Sequence, residues 1–249
     1  MVFLAVSTFS LMLKLYYARP SAYARPVWLA LLEKQLSFEL IPVDLRGKQL
    51  EPDFLTINPF GHVPVLVDGD FRVIESVAIL DYLEAQYPDP PLLPKDTREL
   101  AKVRMVQLVT LNELLPAVFK LLAQDQNSNQ TSTELAYAHL KAVNTLKFLE
   151  SLLGNGLYFA GQQLTLAEIV AGTLIYRMPD LGIQLSNYPS LQTWSERLIS
   201  RPTWQQIELS AEEWSRFKRY MRVMPKVWAH RRRQKMSILS QQLMAHGDG

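Results

Sequence analysis

Along the first third of the chain, apolar positions switch between period two and period 3.6. Lys14–Ala18 reads as a strand, and Ala22–Lys34 as a helix, with Val27 and Leu31, or Trp28 and Leu32, at helical spacing. Phe38–Val43 is a second strand, and Pro42 assigns it to an edge or a strand end because proline cannot donate to a ladder. A loop with a short helix near Glu51–Thr56 follows. Val63–Val67 and Phe71–Ile74 are two strands joined at Asp68-Gly69, a tight-hairpin dipeptide. Glu75–Gln86 reads as a helix. Four prolines then fall within residues 88–94, a linker and the expected domain boundary.

Beyond residue 95 the pattern is helical only. Asp96–Gln124 is one long periodic segment, with a kink expected at Pro116. The polar run 124–133 is a loop, and Glu134–Leu153 is a second helix. Thr165-Leu166-Ala167-Glu168 has the spacing of a capping box and opens a helix over Leu166–Arg177. Pro189–Ser200 gives another helix, stopped at Arg201-Pro202. The order predicts a small α/β domain followed by an all-helical one.

Composition narrows the chemistry. The chain has 249 residues and no cysteine, which excludes disulfides, thiolate zinc sites and a protein-borne thiol nucleophile. The histidines, His62, His139, His230 and His246, are scattered without metal-ligand spacing, so no metal is expected. The formal net charge of +2 hides an asymmetry. Residues 214–249 carry nine bases against Asp248, a net of +8, and residues 1–213 carry 17 bases and 23 acids, a net of −6. The basic extension invites two readings: packing on the acidic body, or contact with an anionic surface. The apolar start, residues 1–13, reads as an extra arm or as a segment preceding a true start at Met12. No transmembrane span is expected.

Three motifs, in order, carry a resemblance: YYARPSAYAR (16–25), NPFGHVPVL (58–66) and IESVAILDYL (74–83). With them the sequence resembles the cytosolic glutathione S-transferases, nearest to the serine-type theta and delta branches. The resemblance covers 14–207 and implies a thioredoxin-like glutathione-binding domain over 14–87, a linker over 88–95 and an all-helical domain over 96–207; the charge pattern leaves a basic extension over 208–249. It also implies a cytoplasmic detoxification enzyme, a homodimer, with glutathione as co-substrate and no cofactor. The glutathione thiolate would be conjugated to a small hydrophobic electrophile or would displace a halide.

The same resemblance implies roles for residues. Ser21 would donate a hydrogen bond to the sulfur, although a serine there also reads as a plain helix cap. Tyr17 is the alternative donor, from the register used by tyrosine-type members, or a core strand tyrosine. Val63, before a cis Pro64, would pair with the cysteinyl backbone. Glu75 and Ser76, at a helix start, would hold the γ-glutamyl ammonium and carboxylate. Gln49 and His62 would meet the glycyl carboxylate. Arg104, Gln107, Leu108 and Leu111 would line the electrophile site. Arg19 would stabilise the thiolate or stand in solvent. A non-catalytic interaction module using the basic extension is the competing reading.

Overall fold

A computed structural model describes residues 12–124 and 132–224. Strands β1 (Leu13–Tyr17), β2 (Phe38–Pro42), β3 (Val65–Asp68) and β4 (Phe71–Ile74) form one sheet in the order β2-β1-β3-β4. β1 runs parallel to β2 and antiparallel to β3, and β3 pairs antiparallel with β4. Pro42 sits at the end of an edge strand, where its missing N–H breaks no ladder. The first strand begins at Leu13, one residue inside the arm expected from the sequence: Leu13 is buried and pairs with Phe38. Val63 and Pro64 lie outside the third strand, joined by a cis peptide.

The alternation along β1 assigns its faces. Leu13 and Leu15 are buried in the main core with α1 (Ala24–Glu33) and α3 (Ser76–Gln86). Tyr16 points the other way and packs on Phe54 of α2 (Pro52–Ile57), in a small cluster with Ala18, Val63 and Val65. The first eight residues of α1 are buried, because one side meets the sheet and the other the helical domain.

The linker is tied down from inside. The Lys34 ammonium, fully buried, pairs with Glu84 at 2.7 Å and donates to the carbonyls of Tyr87 and Pro90. Glu84 accepts the N–H groups of Leu92 and Leu93. The Leu92 carbonyl then accepts the Leu166 N–H, so the linker reaches the helical domain's central helix.

That domain opens with α4 (Thr97–Val109), capped by Asp96, which accepts from the Arg98 and Glu99 N–H groups. The regular helix is interrupted before Pro116. One π turn, Thr110–Leu114, comes first, with Leu115 N–H donating to Thr110, and Pro116 then falls in the first turn of α5 (Leu115–Leu122), where a missing N–H is tolerated. The stretch Thr97–Leu122 is long and apolar enough to cross a membrane by length and composition alone. Here it packs against α6 (Ser132–Leu153) and α7 (Leu166–Ile175) as a core element.

Every residue of α7 is buried. Its capping box is closed: Ala167 N–H donates to Thr165, and Glu168 accepts from the N–H groups of Thr165 and Phe159, the Thr165 hydroxyl and the Trp194 indole. The helix stops at Ile175, two residues short of the expected end, where a 3-10 turn (Met178–Leu181) takes over. The layer is completed by α8 (Pro189–Ile199) and α9 (Pro202–Ile207). A last helix, α10 (211–224), starts at Ser210, whose hydroxyl accepts from Glu213 N–H while Glu213 accepts from Ser210 N–H.

Candidate functional site

The sheet register gathers the predicted residues. Tyr16, Val65 and Ile74 lie side by side across β1, β3 and β4, and Tyr17 lies beside Pro42 of β2. The segments carrying Ser21, Gln49, Val63 and Glu75-Ser76 therefore all leave or enter one edge of the sheet. That edge faces the start of α1 and the start of α3.

Ser21 ends a tight turn, its N–H donating to the Ala18 carbonyl. Its carbonyl accepts from Ala24 and Arg25, and its Oγ accepts from Ala24 N–H at 3.2 Å. The serine thus caps α1. A hydroxyl that accepts from the helix keeps its own proton for another acceptor, and that proton has no partner among the described residues. Capping and donating are compatible here.

Tyr17 points away from Tyr16, into the main core, with its ring edge-on to Trp28 at 5.2 Å. Val63 is buried, and neither its N–H nor its carbonyl has a hydrogen-bond partner among the described residues. Glu75 is exposed and holds φ at +69°, a left-handed backbone that a non-glycine residue adopts at some cost. Ser76, buried, follows as the first residue of α3. Gly61, also left-handed, admits no side chain: a Cβ would meet the Gln49 carbonyl at 2.8 Å.

Gln49 and the α4 stripe meet a different geometry. Gln49 is buried, its Nε2 donates to the Leu45 carbonyl, and its Oε1 is left without a partner. As placed, its unpartnered atom is a buried acceptor, the wrong polarity for a carboxylate. His62 is exposed, and its carbonyl is tied to Asn58 Nδ2. The α4 stripe does not open onto one surface. Arg104 pairs with Asp81 of α3 at 2.6 Å and donates to Gln107, which is fully buried, while Leu108 is half exposed on the outer side and Leu111 packs against the core. Two grooves in the helical domain, one lined by His139, Lys147 and Tyr188 and one by Val109, Leu140 and Phe148, contain none of these residues.

Tyr23 and Phe119 were not among the predicted residues. Tyr23, just before α1, presents its ring edge to Phe119 of α5 at 6.4 Å, spanning the two domains. Burial, and then the nearby Glu75 carboxylate, raise the phenol above its ordinary value.

The basic extension divides. Residues 208–224 dock on the body. Arg19 donates to the Glu208 carbonyl and pairs with Glu213 at 3.0 Å, so its half-buried guanidinium is held by residues of the extension. Arg177 pairs with Glu208 and lies 4.9 Å over the buried Trp214, and Arg25, buried in α1, donates to Tyr176. The Tyr220 hydroxyl donates to the Leu45 carbonyl that also accepts from Gln49. Helix α10 thus straps the turn after β1 to the loop after β2, along one flank of the site. The rest of the basic run, 225–249, lies outside the described residues, as do residues 1–11.

Comparison with known proteins agrees with this fold. Residues 15–91 match the glutathione S-transferase N-terminal domain, and residues 80–202 the glutathione S-transferase C-terminal domain. Glutathione S-transferase Z1 of Arabidopsis thaliana is 34% identical, over 78% of this chain and 90% of its own. A probable maleylacetoacetate isomerase of Caenorhabditis elegans is 32% identical, over 71% and 83%. A zeta-class transferase of Euphorbia esula is 31% identical, a class the sequence motifs alone did not bring forward. Among solved structures, a delta-class glutathione transferase of Nilaparvata lugens superposes with a TM-score of 0.72 at 27% identity, covering 85% of this chain and 99% of its own. The chain belongs to the glutathione S-transferase family.

Proposed function

We propose that this protein binds glutathione at the sheet edge described above and presents its thiolate to a hydrophobic electrophile. The reading rests on the convergence of Ser21, the open backbone of Val63 and the Glu75-Ser76 helix start at one edge. A free thiol of pKa about 8.5 is only a few per cent ionised at neutral pH, and the thiolate is the attacking form. The spare proton of Ser21 would donate to the sulfur, and the start of α1 would add favourable potential. Val63 would take the cysteinyl backbone as an added strand. The start of α3 with Ser76 would hold the γ-glutamyl carboxylate, and the exposed Glu75 its ammonium. Tyr17, committed to Trp28, is the weaker donor, and His62 is the better placed partner for the glycyl carboxylate.

The division into 14–87, 88–95 and 96–207 suits this work, because the α/β part carries glutathione and the helical part faces the electrophile. A cytoplasmic setting goes with a reaction that draws on reduced glutathione. A homodimer is favoured by an apolar face on the helical domain, where Met105, Leu108, Tyr137, Leu140 and Phe148 are all exposed. Contact with an anionic surface is favoured by exposed Arg216, Arg219 and Arg222 on α10, which lead into the basic run.

A second reading is glutathione-dependent isomerisation, in which the thiolate adds to a conjugated double bond and leaves again. The likeness to the Caenorhabditis elegans isomerase supports it. It uses the same thiolate site. Calorimetric titration of glutathione in two buffers of different ionisation enthalpy tests both. Binding with release of nearly one proton near neutral pH is expected. Binding with the proton retained, or no binding, overturns the reading.

A further inference from the structure

Tyr23 is the side chain at the site that the glutathione reading leaves unused. It stands two residues after Ser21 and just before α1, so its place is set by the same turn. Its ring meets Phe119, which comes from the other domain, so the side chain lies where the two domains touch. The residue is 40% exposed, and its hydroxyl has no hydrogen-bond partner among the described residues. An aromatic pair with one free donor is a wall with a single polar point, the usual composition of a small-molecule site.

We propose that Tyr23 is a specificity-determining residue whose hydroxyl donates to the oxygen of electrophiles bearing a conjugated carbonyl, with Phe119 completing the apolar wall. The inference rests on the thiolate reading of the same site. In such an addition the sulfur forms a bond to the β-carbon. The double-bond pair shifts toward the carbonyl, whose oxygen gains the charge of an enolate, and the α-carbon then takes a proton from water. A donor aimed at that oxygen acts more strongly on the enolate than on the ground-state carbonyl, so it accelerates the step. An electrophile that only expels a halide develops no such oxygen and gains little from the donor. A phenol is in its O–H form at neutral pH, as a donor requires, and partial burial, then the Glu75 carboxylate, push its ionisation further up.

The test is Tyr23→Phe, which keeps the ring and its contact with Phe119. Methyl vinyl ketone and benzyl chloride serve as the two electrophiles, with glutathione varied against each. The expected result is a loss of about tenfold or more in kcat with the ketone and less than about twofold with the chloride, with the KM for glutathione unchanged. Phe119→Leu, which keeps a hydrophobic contact, is expected to raise the KM for both electrophiles. Equal losses with both electrophiles, or a raised KM for glutathione, would assign Tyr23 to the γ-glutamyl side near Glu75 and overturn the proposal. Unchanged kinetics with an active wild type would overturn it alone. A wild type that binds no glutathione and turns over neither electrophile would remove the transferase reading and this inference together.

Discussion

Replacing Ser21 with alanine separates its two jobs. As a cap, the Oγ accepts one N–H, from Ala24 at 3.2 Å, and losing such a cap costs about 1 kcal/mol. For a chain of this size that is a fall of about 2–4 °C in Tm, leaving a folded protein to assay. As a donor to a thiolate, the hydroxyl would make a hydrogen bond to a charged group, worth about 1.5–3 kcal/mol. At 1.36 kcal/mol per pKa unit this raises the bound thiol by about 1–2 units. The thiolate fraction near neutral pH, and with it kcat/KM, falls about 10- to 100-fold. The sign matters. The deficit is largest below the wild-type thiol pKa and shrinks as pH rises, because at high pH the thiol ionises without help. The assay is kcat/KM against pH for both proteins, with thiolate absorbance of the bound glutathione as a second readout. An alanine variant whose profile is lower by a constant factor at every pH, with no shift of its midpoint, would refute the donor role and leave only the cap.

Tyr17→Phe is expected to leave the thiol pKa and kcat/KM within about twofold of wild type, because its ring is committed to Trp28; a shifted pH profile would reinstate it as the donor. Glu168→Gln is expected to destabilise the protein by about 1–3 kcal/mol, read as a lower urea midpoint with an unchanged m value. Whichever way the amide turns, its NH2 faces either Phe159 N–H or Thr165 N–H and leaves that buried donor unpaired. The strap should respond to acid. Partial burial pushes the Glu213 carboxyl upward, but the Ser210 N–H and the Arg19 charge outweigh it and leave the group below its ordinary value. A depressed carboxyl stabilises above the unfolded value, near pH 4.3, and that contribution is lost as pH falls through the folded value. Hydrogen exchange in 211–224 is therefore expected to be constant from pH 7 to about 5, after correction for the intrinsic rate, and to rise below about 4. Glu213→Gln should abolish that acid step, and a variant retaining it would show that another group is responsible.

The elements that could be read from the sequence are those whose signals are local. Strand alternation, the Asp68-Gly69 hairpin, the proline linker and the Thr165–Glu168 box each act within a few residues, and each appears within two residues of its expected place. The gathering of Ser21, Val63 and Ser76 was legible only through the spacing of three motifs. The register that brings Tyr16, Val65 and Ile74 abreast is a property of paired strands and not of any one of them. Side-chain commitments were not legible where the partner is distant in the chain. Arg19 meets residues 208 and 213, and nothing within YYARPSAYAR distinguishes a guanidinium held there from one free to meet a thiolate. Gln49 spends its amide N–H on the Leu45 carbonyl, four residues away, and a sequence gives no amide orientation. Within the strap a signal did exist. Trp214, Phe217, Met221 and Met224 recur at helical spacing, and that apolar stripe under a basic surface describes a helix laid on a body. Charge had drawn attention to the residues facing solvent. The packing face, carrying Trp214 and Met221 into the core, is what joins this segment to the flank of the thiolate site.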